Sequence, residues 1–304
     1  MVILGEAIRV RERCRVLELS WIMAATVRGS LVVGGLLLSS LALAQEKQAG
    51  SNVDTEHIFG FTEGADIGDK GEEELESITI ARLSKQGGFA DLTNETSYRY
   101  GVERSFRASV GTLTDYYSVH DSPGYLDRRG LRYSGLTSEF RWQFSEHDSA
   151  PVGLTLSFAP TWRQVNDPTP GQSRSLDLPL GLLVDRVLVP DRVFLAVNAT
   201  VTPSFVHVGS GWQSYRPLEI SAALSVAVGD RFFLGGEIRQ AAQNQTGMFA
   251  DRALFIGPSF FVRLRRDLTF KVAWSAQIPD VIEGRLDLAN YERHQFVAQF
   301  AYGF

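Results

Sequence analysis

From about Glu73 to Phe304, apolar and polar residues alternate with period two, the spacing of a strand with unlike faces. The alternation divides into twelve segments: 73–84, 89–102, 105–118, 129–144, 152–164, 173–187, 192–206, 216–228, 231–241, 250–264, 267–278 and 291–304. In 216–228, Leu218, Ile220, Leu224, Val226 and Val228 share one row, opposite Glu219, Ser221, Ala223, Ser225 and Ala227. In 267–278, Leu268, Phe270, Val272, Trp274 and Ile278 oppose Thr269, Lys271, Ser275 and Gln277. The last segment sets Phe296, Ala298, Phe300, Tyr302 and Phe304 against Gln295, Val297, Gln299, Ala301 and Gly303. The first three segments alternate less cleanly, with Asn94 and Thr96 on the row that is elsewhere apolar. Segments of roughly ten to fourteen residues match the length a tilted strand needs to cross a bilayer.

The connections sort by length. Those at 103–104, 189–191, 229–230 and 265–266 are tight, and those at 119–128, 165–172, 207–215, 242–249 and 279–290 are long. Short turns at one end and long loops at the other are expected of a transmembrane barrel. Aromatic residues also sort by depth. Tyr100, Phe106, Trp142, Phe232, Phe270 and Tyr302 fall near the short-turn ends, and Trp162 and Phe205 near the long-loop ends. Rings at two depths form interfacial girdles. Pro160, Pro179, Pro203 and Pro258 fall inside segments and each removes a ladder donor, so Pro179 and Pro258 require bulges or different strand limits.

Ahead of the strands lie two further regions. Arg28 precedes an apolar run, Leu31 to Leu43, that ends in Ala42-Leu43-Ala44, so residues 1–44 read as a cleaved signal peptide, with Met23 an alternative start. Cleavage would remove five basic and three acidic side chains, taking the net charge from −5 to −7, and would remove Cys14, the only cysteine. That leaves no disulfide or thiol metal site, and the acidic balance argues against nucleic acid as a partner. Residues 45–72 form an acidic, Gly-rich stretch with one apolar knot, Ile58-Phe59-Gly60-Phe61. They read as a periplasmic linker, a solvated tail with a local tuck, or as a plug segment anchored by Phe59 and Phe61. Asp66, Asp69 and Glu72 lack the spacing of a calcium-binding loop, and the five histidines give no metal cluster by spacing, so neither a metal nor a cofactor is expected.

The closing alternation with its terminal Phe304 resembles the last strand of Gram-negative outer-membrane β-barrels, and residues 73–304 as a whole resemble a small porin-like barrel. The resemblance implies an all-β fold, a transmembrane antiparallel β-barrel of about twelve strands, in the bacterial outer membrane. It also implies contact with outer-membrane lipids and lipopolysaccharide, and capture of Phe300, Tyr302 and Phe304 by the barrel assembly machinery. The polar row would line a lumen. Its charged members include Glu139, Arg141, Asp177, Asp185, Glu219, Glu237, Arg239, Arg263 and Lys271, together with Asp91, Glu95, Arg99 and Arg107. Seven acids against six bases predict a narrow, weakly selective path for passive uptake of small solutes. The alternative is a closed, structural or surface-interaction barrel whose lumen is filled by the same charges. A third reading is a rim hydrolase, since some twelve-stranded barrels resembling outer-membrane phospholipase A carry a His-x-Ser pair. Here His120-Asp121-Ser122 and His147-Asp148-Ser149 match that spacing, but Pro123-Gly124 replaces the following Asn-Gly. Catalytic residues are therefore not expected.

Overall fold

The computed structural model describes residues 53–147, 149–164, 169, 172–244, 249–280 and 284–304. The signal-peptide reading of residues 1–44 lies outside them. Sixteen strand segments follow in order: β1 (Glu73–Leu83), β2 (Gly88–Glu103), β3 (Phe106–His120), β4 (Arg128–Ser145), β5 (Gly153–Phe158), β6 (Thr161–Arg163), β7 (Gln172–Asp177), β8 (Leu180–Val189), β9 (Val193–Val201), β10 (Ser204–Val208), β11 (Gly211–Tyr215), β12 (Leu218–Ala227), β13 (Phe232–Asn244), β14 (Phe249–Arg263), β15 (Leu268–Ile278) and β16 (His294–Gly303). All pairings are antiparallel, and β1 pairs with β16 from Glu74 opposite Gly303 to Leu83 opposite His294, which closes the sheet. β5–β6, β7–β8, β9–β10 and β11–β12 are each one traverse broken in the middle, so the sixteen segments make a twelve-stranded closed barrel.

The breaks have a common cause. Each falls at a proline: Pro160, Pro179, Pro203 and Pro217. The four carbonyls accept bonds from Ser138 N (3.1 Å), Ala159 N (3.0 Å), Leu178 N (2.9 Å) and Thr202 N (2.8 Å) on the neighbouring traverses. None of the prolines has an N–H with which to return the bond. Four adjacent traverses are thus joined along a line of half-made pairs, and β6, β7, β10 and β11 lie on its far side. Pro179 therefore corrects the expected strand limits: one long segment at 173–187 is two shorter ones. Pro258 needs no bulge. The register between β14 and β15 runs unshifted from Ile256 opposite Ala276 to Ser259 opposite Ala273.

The connections correct a second expectation. Residues 207–215 are not a loop, because β10 and β11 form a hairpin pairing Val208 with Gly211. The connection at 84–87 is short as well, although it lies at the end of the barrel that carries 121–127 and 279–293. That end is called upper here, and the end holding Phe304 and the turn at 190–192 is called lower. The length sorting is real for 121–127 and 279–293 but incomplete around the rim.

The outside is apolar and the inside polar, the reverse of a soluble domain. Leu156, Leu182, Leu224, Ile238, Ile256, Trp274 and Phe300 are exposed on the outer wall, while Asp185, Ser225, Glu237, Lys271 and Gln299 are buried within. A soluble monomer does not leave so much contiguous apolar area in water. Rings gather at the lower rim, where Phe106 lies 5.0 Å from Trp142 and Phe270 lies 4.5 Å from Phe300. Midway along β1 and β2 the outer wall carries a polar patch. Asn94 does face outward, and its amide donates to Ser77 Oγ (3.0 Å) and Thr79 Oγ1 (2.9 Å), so these polar groups satisfy one another.

Candidate functional site: a plugged lumen

Residues 53–72 precede β1 and turn back into the barrel. Thr55, Ile58, Phe59, Thr62, Ala65 and Ile67 are each at most 1% exposed. A solvated tail would leave them in water, so the structure corrects that reading for the described part of the segment. Ile58 and Phe59 enter an apolar cluster on the inner wall made by Val187, Phe194, Ala196, Ala223, Phe233 and Phe261. The segment has no regular structure, so its backbone groups need partners from elsewhere. The wall supplies them. Glu237 accepts from Phe61 N (2.8 Å) and Thr62 N (3.1 Å). Asp185 accepts from Ala65 N (2.9 Å), Ser225 Oγ donates to the Ile58 carbonyl (2.8 Å), and Gln143 donates to the Ala65 carbonyl (3.1 Å). Close approach also requires glycine. A Cβ on Gly64 would fall 2.2 Å from the Thr55 carbonyl oxygen, which is backbone and cannot swing aside.

The plug's charges are matched as well. Glu56, 4% exposed, receives Arg99 at 2.7 Å, Arg141 at 3.3 Å, and Arg107. Arg141 also pairs with Glu139 (2.8 Å) and with Glu63 of the plug. His57 lies 3.4 Å from Glu74 and 3.8 Å from Glu76, and the Gln299 amide stands 2.8 Å from its Nδ1. The Arg239 guanidinium lies 3.8 Å over the Phe61 ring. Such networks are favourable only when every member is satisfied.

One plug side chain carries a proton whose loss would loosen the plug. Burial alone would push His57 down, but Glu56, Glu74 and Glu76 outweigh it and raise its pKa to about 9. It is raised above its ordinary value, so the seated plug is favoured while the group is protonated. The contribution is complete below about pH 6.5 and is lost as pH rises through about 9. Conductance should therefore rise between about pH 6.5 and about pH 10. A flat profile over that range would show that His57 does not govern the plug.

Of the charged residues predicted to line a lumen, Glu139, Arg141, Asp185, Glu237 and Arg239 meet the plug or its ion pairs. Lys271 is buried inside. Asp177 and Glu219 face an upper cavity of about 830 Å³, with Phe61 and Glu63 at its floor. Arg263 lines a lower cavity of about 270 Å³ beside His57 and Glu74. Sequence reasoning missed Glu56, His57 and Glu63, the plug's side of the network. The available signal was on the opposite wall: Val187, Phe194, Phe233 and Phe261 are apolar on the polar row, which means that something other than water lies against them. The two His-x-Ser matches do not form nucleophile–base pairs. Ser122 is buried and donates to the Gln86 carbonyl (2.6 Å), while His120 is exposed and lies against Asp121 (2.9 Å) and Asp127 (3.1 Å). His147 pairs with Asp66 (3.4 Å), and Ser149 Oγ donates to the Glu146 carbonyl (3.3 Å).

No curated protein matches the chain. Among solved structures it is similar to an outer membrane channel from Pseudomonas putida F1, at 10% identity over 79% of this chain and 98% of that one, with a TM-score of 0.48. It is also similar to the NanC porin, at 6% identity over 75% and 98% with a TM-score of 0.47. A third is the KdgM porin in complex with disordered oligogalacturonate, at 9% identity over 76% and 99% with a TM-score of 0.45. Residues 51–304, the plug and the whole barrel, match the profile of DUF6662, described as a family of unknown function, and the chain belongs to that family.

Proposed function

We propose that the protein is a bacterial outer-membrane channel for passive uptake of small polar solutes, held shut by its own residues 53–67. The observation that carries this reading is how the lumen is filled. The wall holds the segment largely through hydrogen bonds and ion pairs, which water can replace once the segment leaves. The apolar outer wall, with rings at its lower rim, suits a bilayer and its lipopolysaccharide. Phe300, Tyr302 and Phe304, all exposed on the outer face of the closing strand, suit recognition by the assembly machinery. The upper cavity is lined by Glu63, Asp91, Asp177, Glu219 and Glu292 against Arg82, Lys85, Arg163 and Arg239. This near balance supports weak ion selectivity.

The test is single-channel recording of the refolded chain from Gln45 in a planar bilayer under a salt gradient. The expected result is brief, infrequent openings whose reversal potential lies near zero. A reversal potential close to that of an ideal cation or anion electrode would count against the balanced lumen. Silence from inserted protein, with the plug present or removed, would favour a closed barrel acting through its upper loops and cavity.

A further inference from the structure

A second site lies where the plug leaves the lumen. Asp66 of the plug, His147 of the β4–β5 turn and Asp185 of β8 converge there, with one ligand atom of each within 4.8 Å of the others. Their second oxygens are already committed. Asp66 Oδ2 accepts from Thr55 N (2.7 Å) and Thr55 Oγ1 (3.0 Å), and Asp185 Oδ2 accepts from Ala65 N (2.9 Å). The plug backbone thereby turns both Oδ1 atoms toward the imidazole. His147 Nδ1 lies 3.4 Å from Asp66 Oδ1 and 3.8 Å from Asp185 Oδ1. Asp185 is 1% exposed and its Oδ1 has no hydrogen-bond partner among the described residues. A buried carboxylate oxygen in that state is costly unless a cation or donor faces it.

The spacing fits a metal. Zinc ligands at about 2.0–2.2 Å in tetrahedral array stand roughly 3.4 Å apart. One imidazole and two carboxylates suit zinc or a similar divalent transition ion, with water as a fourth ligand, and the hydrogen bonds to both Oδ2 atoms are the orienting outer shell such a site needs. A lower-end cavity of about 550 Å³ leads to it, lined by Asp54, Asp66, Asp69, Glu72 and Glu146 against the single Arg104. That lining attracts a cation. Two other clusters fit less well. The carboxylates beside His57 already bind Arg99, and His120, Asp121 and Asp127 have side chains 77%, 81% and 58% exposed.

We propose that Asp66, His147 and Asp185 bind a zinc-class divalent cation that fastens the plug to the barrel wall. The fastening role rests on the plugged-channel reading, but the site itself does not. The test is calorimetric titration of Zn²⁺ into the detergent-purified, chelator-stripped full chain. One saturable equivalent per chain is expected. His147→Ala and Asp66→Asn should each weaken it roughly tenfold or more, while His120→Ala should not. Each variant should first show the heat-dependent gel mobility of a folded barrel. Asp185→Asn provides a second wall variant should either of the first two fail that check. Absent binding, binding unchanged by His147→Ala, or binding lost with His120→Ala would each overturn the site. All three results can be read whether or not the barrel conducts.

Discussion

A chain lacking residues 45–67 should fold into the same barrel and conduct steadily where the intact chain opens only briefly. The strands have their own reason to form, since the ring closes through β1 and β16 and no plug residue joins the ladder. Removing the plug takes Ile58, Phe59 and the Glu56 carboxylate out of the lumen and leaves a wall that water can solvate everywhere except at the apolar patch of Val187, Phe194, Phe233 and Phe261. The two cavities of about 830 and 550 Å³, now lined in part by Phe61 and by Asp66, would then lie on one path. Mean current per inserted barrel should rise by roughly tenfold or more. Equal current from both chains would mean that the segment does not occlude the path.

Replacing Glu56 by Gln should have nearly as large an effect with a single side chain changed. Three guanidinium groups, of Arg99, Arg107 and Arg141, converge on that carboxylate. Glu63, Glu74, Glu76 and Glu139 neutralise part of their charge but none replaces the central anion. Stranding one buried charge typically costs about 3–5 kcal/mol. If the wall arginines regain water when the plug leaves, that cost falls on the seated state, shifting the balance toward the open state by roughly a hundredfold or more. Open probability and protease cleavage within residues 53–67 should increase together. Glu56→Asp, which keeps the charge, should move both much less. An unchanged Glu56→Gln barrel would place the plug's hold in the Phe59 cluster instead.

The strands were readable from sequence because a closed barrel imposes one rule on every traverse. A residue facing out must tolerate an apolar surrounding and its neighbours must face the lumen, so β12, β15 and β16 could be identified from alternation alone. The proline line was not readable. Pro160, Pro179 and Pro203 each looked like a local flaw, and only the register shows that they stand beside one another with Pro217. The hairpin of β10 and β11 was missed because Gly211, Gln213 and Ser214 give it the composition of a loop. The plug was legible only as one of two readings, through Phe59 and Phe61, and its polar contacts escaped for a different reason. It has no period, and its acidic residues suit water until Arg99, Arg107 and Arg141 are placed across the lumen from them. The metal cluster escaped in the same way, because its members stand at positions 66, 147 and 185 and meet only in three dimensions.

The pairing of His57 with Gln299 bears on how the ring is completed. Gln299 sits on the last strand, and its amide reaches both His57 and Glu76 of the first. The join between the two ends of the sheet is therefore stapled from inside by a residue upstream of both. A ring closed with one hairpin too few would bring a different strand against β1 and leave His57 facing the wrong side chain. The ring closes without the plug, but the plug seats fully only in a ring of the right size, so the segment that shuts the lumen also acts as a gauge of the barrel's circumference.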